Sequence, residues 1–450
     1  MPTRAIVLHY HELWLKGRNR SFFLNRLVDA VRRSLEGIPV ARIHQPGDRI
    51  LVWLDEGADS EEALRRMAKV FGVAYFAPAR IVERDMAAIR QAAWEEIQPE
   101  QFATFAVRAK RSDKSFPFRS SEIERDVGAF LLARLREADR DARVNLRAPD
   151  RTCRIEISPG PVLVYARKLP GLGGLPAKTA GKMVCLLSGG FDSAVAAYKM
   201  MKRGAHLGFV HFYGTGAQPG ESSIHVAREL VARLTPYQLT AHLYLVPFEP
   251  IQREIVRYAP ESFRVLLYRR MMLRIAAAIA TRSRALALVT GDSLGQVASQ
   301  TLENMLAVDA AAPLHVFRPL VGNDKQEILA IARRIGTYDV SAEPFHDCCP
   351  VFLPRSPALR ATPADLDRAE ARLDIPALTR LGFQSASHEK YRLVGGKVER
   401  IARSTPAPQP LPLCQREPDS RPVSSTERRQ PNFITEQPAL TGNVPEPERR

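Results

Sequence analysis

The hexapeptide Ser188-Gly-Gly-Phe-Asp-Ser193 follows the apolar run Lys182-Met-Val-Cys-Leu-Leu187 and precedes a stretch of helical periodicity that begins near Ala194. The apolar run predicts a buried strand, so the hexapeptide is a strand-to-helix turn. Gly189 and Gly190 let such a turn adopt positive φ and approach a ligand closely. The free amides and the dipole of the following helix favour a bound phosphate group. An ordinary glycine-rich turn is the alternative, but the complete pattern favours a phosphate-binding loop.

Three side chains of this loop add chemistry to its backbone. Ser188 and Ser193 supply hydroxyl donors. Asp192 is an anion where a phosphate would bind, which predicts a Mg²⁺ ion between its carboxylate and a pyrophosphate group. No Gly-Lys-Ser/Thr sequence follows, so the loop is not a Walker A motif.

Strands and helices alternate on the C-terminal side of the loop. This alternation predicts an α/β fold with a doubly wound, mostly parallel sheet that binds ligands at the carboxyl ends of its strands. The expected helices are 194–203, 222–234, 266–281 and 326–335, and the expected strands are 182–187, 205–212, 241–246 and 285–290.

The N-terminal side reads as two smaller α+β units. Ser121 is a plausible N-cap for the last helix there, with Glu124 three residues later. The first unit has strands at 5–8 and 49–54 and a helix at 20–35; the second has helices at 61–71, 86–97 and 121–136, a strand at 102–108 and a closing hairpin at 154–157 and 162–166. We divide the chain into domains at 1–59 and 60–168, a linker at 169–180, the α/β domain at 181–395 and a tail at 396–450.

The charge balance indicates a polyanionic partner. The 450 residues carry a net charge of +16, with a pI of about 9.9, which suggests nucleic acid, although a generally basic surface is the alternative. Residues 1–180 and 181–403 each carry +8, whereas the proline-rich tail from Ser404 carries none and is expected to be disordered.

Composition also excludes several classes of protein. A hydrophobic content of 45% excludes a wholly disordered chain, and no apolar window is long enough for a transmembrane helix. His9, His11 and Glu12 interrupt the N-terminus, so we expect no secretory signal. Five cysteines do not make a disulfide framework and favour a reducing, cytoplasmic location.

The loop resembles the PP-loop of ATP pyrophosphatases, which cleave ATP between the α and β phosphates. Further stretches resemble one family with this loop, the tRNA 4-thiouridine synthases (tRNA uracil 4-sulfurtransferases). The resemblance covers residues 1 to about 395 in collinear order. The matching stretches are His9–Asn19, Val107–Pro117, Leu169–Pro176, Ser188–Ser193, Gly291–Thr301, Pro319–Lys325 and Asp347–Pro350.

This resemblance implies an N-terminal ferredoxin-like domain, a THUMP RNA-binding domain and a PP-loop domain that binds ATP with Mg²⁺. His211 and Phe212 would face the adenine, and Lys325 would stabilise negative charge on the phosphates during adenylation. Packing for the apolar residues and an ordinary surface charge for Lys325 are the alternatives. The implied ATP contacts are Leu186, Leu187, Ser188, Gly189, Gly190, Asp192, Ser193, His211, Phe212, Arg269, Gly291 and Gln300, with Asp192 and Lys325 also catalytic.

A basic stretch with interleaved aromatic residues is the candidate RNA-binding site. Phe116 and Phe118 lie among its cations, so phosphate contacts and base stacking are both available. A solvated loop with inward-facing aromatics is the alternative, which the likeness to THUMP disfavours, and the resemblance implies the acceptor end of tRNA as the target. The expected contacts are Arg108, Lys110, Arg111, Lys114 and Arg119.

Cys348 and Cys349 are the candidate sulfur carriers. They lie in a proline-rich loop beside His346 and Asp347, and the sequence after Cys349 matches the family better, so Cys349 is preferred as the persulfide and Cys348 comes second. A disulfide between these neighbours would be strained, and a zinc site lacks further ligands. The other cysteines are weaker candidates: Cys185 is expected to be buried in the first strand of the α/β sheet, Cys153 lies in the THUMP-like region and Cys414 in the tail. No rhodanese domain is expected around Cys414.

The resemblance thus implies ATP-dependent transfer of persulfide sulfur to uridine 8 of tRNA. Its partners would be tRNA and a cysteine desulfurase, and it allows a homodimer. The alternatives are another PP-loop tRNA-modifying enzyme, of the 2-thiolating or lysidine-forming type, and a non-catalytic THUMP-type RNA-binding protein. No metal site other than that for Mg²⁺ is expected.

Overall fold

A computed structural model describes residues 4–214, 223–343 and 356–403, which build two mixed sheets with helices. In the N-terminal part, the strands β1–β9 are Arg4–His9, Val40–His44, Arg49–Leu54, Tyr75–Val82, Thr104–Arg111, Arg143–Val144, Arg151–Ile157, Val162–Tyr165 and Leu169–Pro170. The helices α1–α4 are Arg20–Ser34, Ser60–Met67, Met86–Ile97 and Ser120–Glu137, and a 3-10 helix spans Glu12–Asn19.

These nine strands form a single continuous sheet in the order β2-β3-β1-β4-β8-β7-β5-β6, with β9 added to β4. Two hydrophobic cores cover different parts of it. One lies under α1 and α2 and includes Leu64 and Met67; the other lies under α3 and α4. Helix α2 therefore packs with the first domain, and the expected boundary at 59 divides elements that share one core.

The second sheet confirms the predicted doubly wound α/β class. Its strands β10–β16 are Lys182–Leu186, His206–Tyr213, Thr240–Pro247, Ala287–Val289, His315–Phe317, Ser387–Val394 and Lys397–Arg403. Their order is β14-β13-β10-β11-β12-β15-β16, and only β15 and β16 run antiparallel to their neighbours. The helices α5–α13 are Phe191–Lys202, Ser223–Gln238, Glu249–Tyr258, Arg264–Ser283, Leu302–Asp309, Lys325–Ile335, Tyr338–Ala342, Pro363–Glu370 and Ile375–Gln384.

Alternate residues of the central strands supply two cores, one on each face. Cys185 and Phe209 pack on the side of α5, α6 and α10, whereas Val184 and Val210 pack on the side of α8. Neighbouring side chains of a strand point to opposite faces, so an uninterrupted apolar run is what a sheet buried on both faces requires.

Three local expectations are corrected. Helix α4 begins at Ser120, because the Glu122 carboxylate accepts from the Arg119 amide at 2.6 Å and fixes an earlier start than the Ser121 cap. The segment at 169–180 is not a free linker, since β9 pairs with β4 and the Leu175 amide donates to the Lys202 carbonyl. Residues 397–403, which we assigned to the tail, form β16 along the edge of β15.

Candidate active site

The Ser188–Ser193 loop joins β10 to α5 in the predicted strand-to-helix turn. Gly189 has φ = +87°, a conformation that L side chains rarely adopt, and Gly190 is the N-cap of α5. The Ser193 hydroxyl accepts from the Ser188 amide at 3.2 Å and donates to the Gly190 carbonyl at 3.1 Å. Ser193 is therefore buried inside the turn and holds its shape, while Ser188 is exposed at its rim.

Gly291 supports this loop from below. A Cβ atom at this position would lie 2.6 Å from the Ser193 nitrogen and 2.7 Å from the Asp192 carbonyl carbon. Backbone atoms cannot move aside as the end of a flexible side chain can, so the position requires glycine. The residue that the resemblance assigned to ATP thus contacts the loop itself.

Two polar side chains from distant segments reach Asp192. Lys325 Nζ lies 3.0 Å from Oδ1, and Gln296 Nε2 donates to Oδ2 at 3.0 Å. Lys325 is the first residue of α10, so two helix N-termini converge at this carboxylate. Mg²⁺ often binds through one or two carboxylates together with substrate phosphates. Asp192 fits that role, since it places a single carboxylate at the loop in the first turn of α5.

Asp292 is the centre of a buried charge network beside the loop. Its carboxylate accepts from Arg269 at 2.5 Å, from Thr290 at 2.8 Å and from Gln300 at 3.2 Å. Arg318 donates to its other face at 3.1 Å. Burial alone raises the pKa of Asp292, but the Arg269 charge, the Thr290 hydroxyl and the Arg318 charge outweigh burial and lower it overall.

The network orients two of the expected ATP contacts. Arg269 also donates to the Ser299 hydroxyl at 3.0 Å, and Gln300 is held through its amide nitrogen. The oxygen Oε1 of Gln300 is buried and has no hydrogen-bond partner among the described residues. A buried acceptor without a donor is costly. It is therefore available to a donor from a ligand, such as an exocyclic amine of a base.

His211 and Phe212, which the resemblance places against the adenine, are both buried. His211 is completely buried, and its ring nitrogens contact the Leu187 carbonyl at 2.8 Å and the Ser223 hydroxyl at 2.9 Å. Phe212 packs in the core against Phe248. His211 thus contacts the strand end that leads into the loop, whereas Phe212 belongs to the core with α7 and α8, which is the packing alternative. Leu186 and Leu187 likewise pack against opposite cores.

The candidate RNA-binding residues lie on β5 and the turn after it. Lys110 pairs with Asp48 at 2.9 Å, and Arg111 donates to the carbonyls of Phe116 and Phe118 at 2.9 and 3.1 Å. Arg108 donates to the Leu146 carbonyl. Lys114 and Arg119 are exposed.

The two aromatic residues of this stretch differ. Phe116 is buried in the core under α3 and α4, whereas Phe118 is 43% exposed. The inward packing that we held as the alternative therefore applies to Phe116. Only Phe118 is free to stack on a base.

Three family models match the chain in sequence order. They are the ThiI ferredoxin-like domain at residues 5–77, the THUMP domain at 86–167 and the thiamine biosynthesis protein ThiI at 178–375. The probable tRNA sulfurtransferase of Thermus thermophilus is 45% identical over 395 residues, which is 88% of this chain and 96% of that protein. The corresponding protein of Moorella thermoacetica is 39% identical over 83% of this chain and 94% of its own length.

The chain belongs to the tRNA sulfurtransferase family.

A solved structure supports the same assignment. A 4-thiouridine synthetase crystallised with RNA and ATP superposes with a TM-score of 0.78 at 32% identity, over 86% of this chain and 99% of its own. The ferredoxin-like match extends past residue 59 to residue 77, in agreement with the packing of α2. None of the described helices of this sulfurtransferase is long and apolar enough to cross a membrane.

The structure describes two of the five cysteines. Cys348, Cys349 and Cys414 lie outside the described residues. Cys185 is completely buried, as expected, and so is Cys153; burial raises the pKa of each thiol to about 12. Since the thiolate is the reactive form, neither buried cysteine is suited to carry sulfur.

The sequence interpretation missed Asp292, Gln296 and Arg318. Asp292 and Gln296 lie within the stretch 291–301 that was quoted for its family resemblance, so their position was visible although their role was not. No local pattern marks Arg318 at all. It reaches the site only because β14 ends beside β13, where Asp292 follows.

Proposed function

We propose that this tRNA sulfurtransferase uses ATP and Mg²⁺ to convert uridine 8 of tRNA to 4-thiouridine. One observation supports the proposal above the others: Lys325 and Gly291, from two distant segments, converge on Asp192 and Ser193 of the Ser188–Ser193 loop. A helix N-terminus with a lysine beside it is suited to bind a polyphosphate. An RNA-binding protein without catalytic activity would not need a lysine and a helix N-terminus together at such a loop.

The first step is adenylation of the base. The loop amides and Ser188 hold the phosphates, and the uracil O4 attacks the α-phosphorus as pyrophosphate leaves. Lys325 stabilises the charge that develops on the phosphate oxygens. Mg²⁺ held by Asp192 would offset the charge of the leaving pyrophosphate. The product of this step is an O4-adenylated uracil.

The second step is sulfur transfer. The terminal sulfur of a Cys349 persulfide attacks C4 and AMP leaves, which forms a C4–S bond and a mixed disulfide. The Cys348 thiolate, or another thiol, then attacks the Cys349 sulfur, which releases 4-thiouridine and leaves a disulfide. A thiol reductant must return two electrons before the next cycle. A cysteine desulfurase supplies the persulfide; prior release of the sulfur as sulfide is an alternative route to the same product.

Reconstitution tests the proposal. Purified chain, ATP, Mg²⁺, tRNA and a cysteine desulfurase with cysteine should yield 4-thiouridine, seen by its near-ultraviolet absorbance and by mass analysis of the nucleosides. The variant Cys349→Ala should abolish the product. Cys348→Ala should lower the rate of repeated turnover more than it lowers the yield of product in the first turnover. Cys414→Ala is the matched control and should be fully active.

Three outcomes would contradict the proposal. They are a different modified base, no modified base at all, or full activity in the Cys348→Ala/Cys349→Ala double variant. The first outcome would favour another PP-loop tRNA-modifying activity. ATP–pyrophosphate exchange with and without tRNA would separate the second outcome from simple RNA binding.

A further inference from the structure

A broad basic groove lies far from the Ser188–Ser193 loop along the second sheet. Its cavity of about 820 Å³ is bounded by α1 and β2 of the ferredoxin-like domain and by the start of β12 and the end of β15. Thr240 is the first residue of β12, whereas the loop follows the carboxyl end of β10. Because these strands are parallel, the two sites lie at opposite ends of the strands. The cations that line the groove are Arg32, Arg33, Arg42, Lys390 and Arg392; Glu36 is the acidic residue in its wall.

Most of these cations have no acidic partner. Arg32 pairs with Asp29 at 3.0 Å, an exposed pair, but within 4–214, 223–343 and 356–403 no ion pair joins Arg33, Arg42, Lys390 or Arg392 to a carboxylate. Other arginines of the second domain are matched to acids, as in the pairs Arg228–Glu389 and Arg274–Glu370. The groove therefore concentrates uncompensated positive charge.

Side chains alternate between the two faces of β15, and this alternation places its cations on the face that lines the groove. Glu389 lies between His388 and Lys390 and points to the opposite face, where Arg228 of α6 pairs with it at 2.6 Å. Lys390 and Arg392 share the other face, next to His242 and Thr240 of β12 in the register. Glu389, the one acidic residue of β15, therefore pairs on the opposite face, and the cations of β15 line the groove without it.

The environment of Lys178 shows that positive charge is concentrated beside the groove. It adopts φ = +67°, an unusual conformation for a lysine, and donates to the Thr240 hydroxyl at 3.0 Å. Burial and the nearby charges of Arg33, Arg26, Lys182 and Lys390 lower the pKa of Lys178 to about 8. A bound anion would relieve this repulsion.

We propose that this groove binds the sugar–phosphate backbone of RNA, as a second contact surface apart from the Lys114 region. The cations come from three separate elements, α1, β2 and β15, and the cavity is far larger than one phosphate group, which fits a strand rather than a single ion. The groove also gives a role to part of the +8 charge of residues 181–403. The inference rests on the proposed function in taking RNA as the partner.

Salt-dependent RNA binding tests the groove. The triple variant Arg33→Gln/Arg42→Gln/Arg392→Gln should weaken tRNA binding roughly 10- to 100-fold near 0.1 M salt. It should also reduce the slope of log K against log salt by about 2, because each lost phosphate contact removes roughly 0.7–0.9 from the slope. The lysine triple variant at the same positions keeps the charge and should keep the slope.

A second triple variant controls for net charge. Arg257→Gln/Arg372→Gln/Arg380→Gln removes the same charge from exposed positions on or beside α7 and α13 and should leave the slope unchanged. Equal slopes for the groove variant and wild type would overturn the proposal. So would loss of inorganic pyrophosphate binding with tRNA binding intact, since it would mark a small-anion site.

The two proposals fail in different ways. The groove variant should retain ATP–pyrophosphate exchange in any assay where wild type shows it without tRNA. If wild type binds tRNA with the expected slope but forms no 4-thiouridine, the proposed function fails and the groove stands. If thiolation occurs with an unchanged slope in the variant, only the groove is refuted.

Discussion

Lys325 Nζ lies 3.0 Å from Asp192 Oδ1, although 133 residues separate them in the chain. Each residue stands in the first turn of its helix, Asp192 in α5 and Lys325 in α10. Lys325 also lies 5.4 Å from the centre of the Phe191 ring, whose face holds the ammonium group beside the loop. A cation pre-placed at a phosphate-binding loop needs little reorganisation when a polyphosphate enters.

Replacement of Lys325 by methionine should therefore impair chemistry more than binding. We expect ATP–pyrophosphate exchange in the presence of tRNA to fall by about 100-fold, comparable to loss of one donor from an oxyanion hole. The change in KM for ATP should be much smaller. Lys69→Met, at an exposed position on the ferredoxin-like domain, is the control. A raised KM for ATP with kcat unchanged would instead assign Lys325 to ground-state binding.

Gly291 should tolerate no side chain. Alanine would place its Cβ 2.6 Å from the Ser193 nitrogen and push the N-terminus of α5 away from its position. We expect ATP affinity, measured by calorimetry, to fall at least about 10-fold. Gly322→Ala is the matched control, because a Cβ there meets nothing within 4 Å. Normal ATP binding by Gly291→Ala would show that the loop is less rigid than its contacts indicate.

The parallel sheet was predictable because its strands are apolar on both faces. Strand β10 is recognisable by its uninterrupted hydrophobic run after Lys182, and β11 by its predominantly apolar sequence. Strand β4 is not recognisable in this way, since Pro78 and small residues weaken the pattern, and it is held by pairing with β1 on one side and β8 on the other. Strand β16 is rich in charge and depends on its pairing with β15. Tertiary pairing decides such segments.

The site was predictable only in part, for a similar reason. The loop is a local motif, and the stretches that carry the family resemblance include Lys325 and Gly291, which the fold brings into contact with it. The resemblance did not indicate the burial of His211 and Phe212, which depends on the helices packed over them. The Asp292 network was not visible, since its members come from α8, from the ends of β13 and β14 and from the loop before α9.

Loss of the Asp292 charge should destabilise the fold as well as the site. In Asp292→Asn, Arg269 and Arg318 would lose their shared anion, and breaking a buried ion pair costs on the order of 3–5 kcal/mol. We expect a lower midpoint in urea unfolding and a raised KM for ATP. Asp309→Asn removes the other acid that contacts Arg318, at a more exposed position, and should cost much less. Equal costs for the two variants would refute the central role of Asp292.

Two histidines at the groove end of the sheet should make stability depend on pH. Burial and the nearby charge of Lys178 lower the pKa of His206 to about 4. Burial and the neighbouring His388 lower the pKa of His242 to about 4 as well. The unfolded chain titrates near 6.5 and binds more protons between these values, so stability falls as pH drops from about 6.5 towards 4. The loss at pH 5 should be roughly 1–2 kcal/mol per histidine.

Urea unfolding at pH 7.5 and pH 5.0 measures this effect. The His206→Gln/His242→Gln double variant should show a smaller difference between the two pH values than wild type, whatever its stability at pH 7.5. A variant as sensitive to acid as wild type would place the titrating groups elsewhere. Asp48 and Glu156, each with a pKa lowered to about 2, contribute only in more acidic solution.

The RNA-binding stretch after β5 is best tested at Lys114 and Arg119. Reversal of Arg111 would confuse the result, because its guanidinium holds the turn through the Phe116 and Phe118 carbonyls, and Lys110 is tied to Asp48. Lys114→Glu/Arg119→Glu changes two exposed side chains and should weaken tRNA binding roughly 10- to 100-fold near 0.1 M salt. Lys69→Glu/Arg380→Glu carries the same charge change at remote exposed positions. If both double variants bind tRNA with equal affinity, the effect is one of net charge and this stretch is not a specific contact.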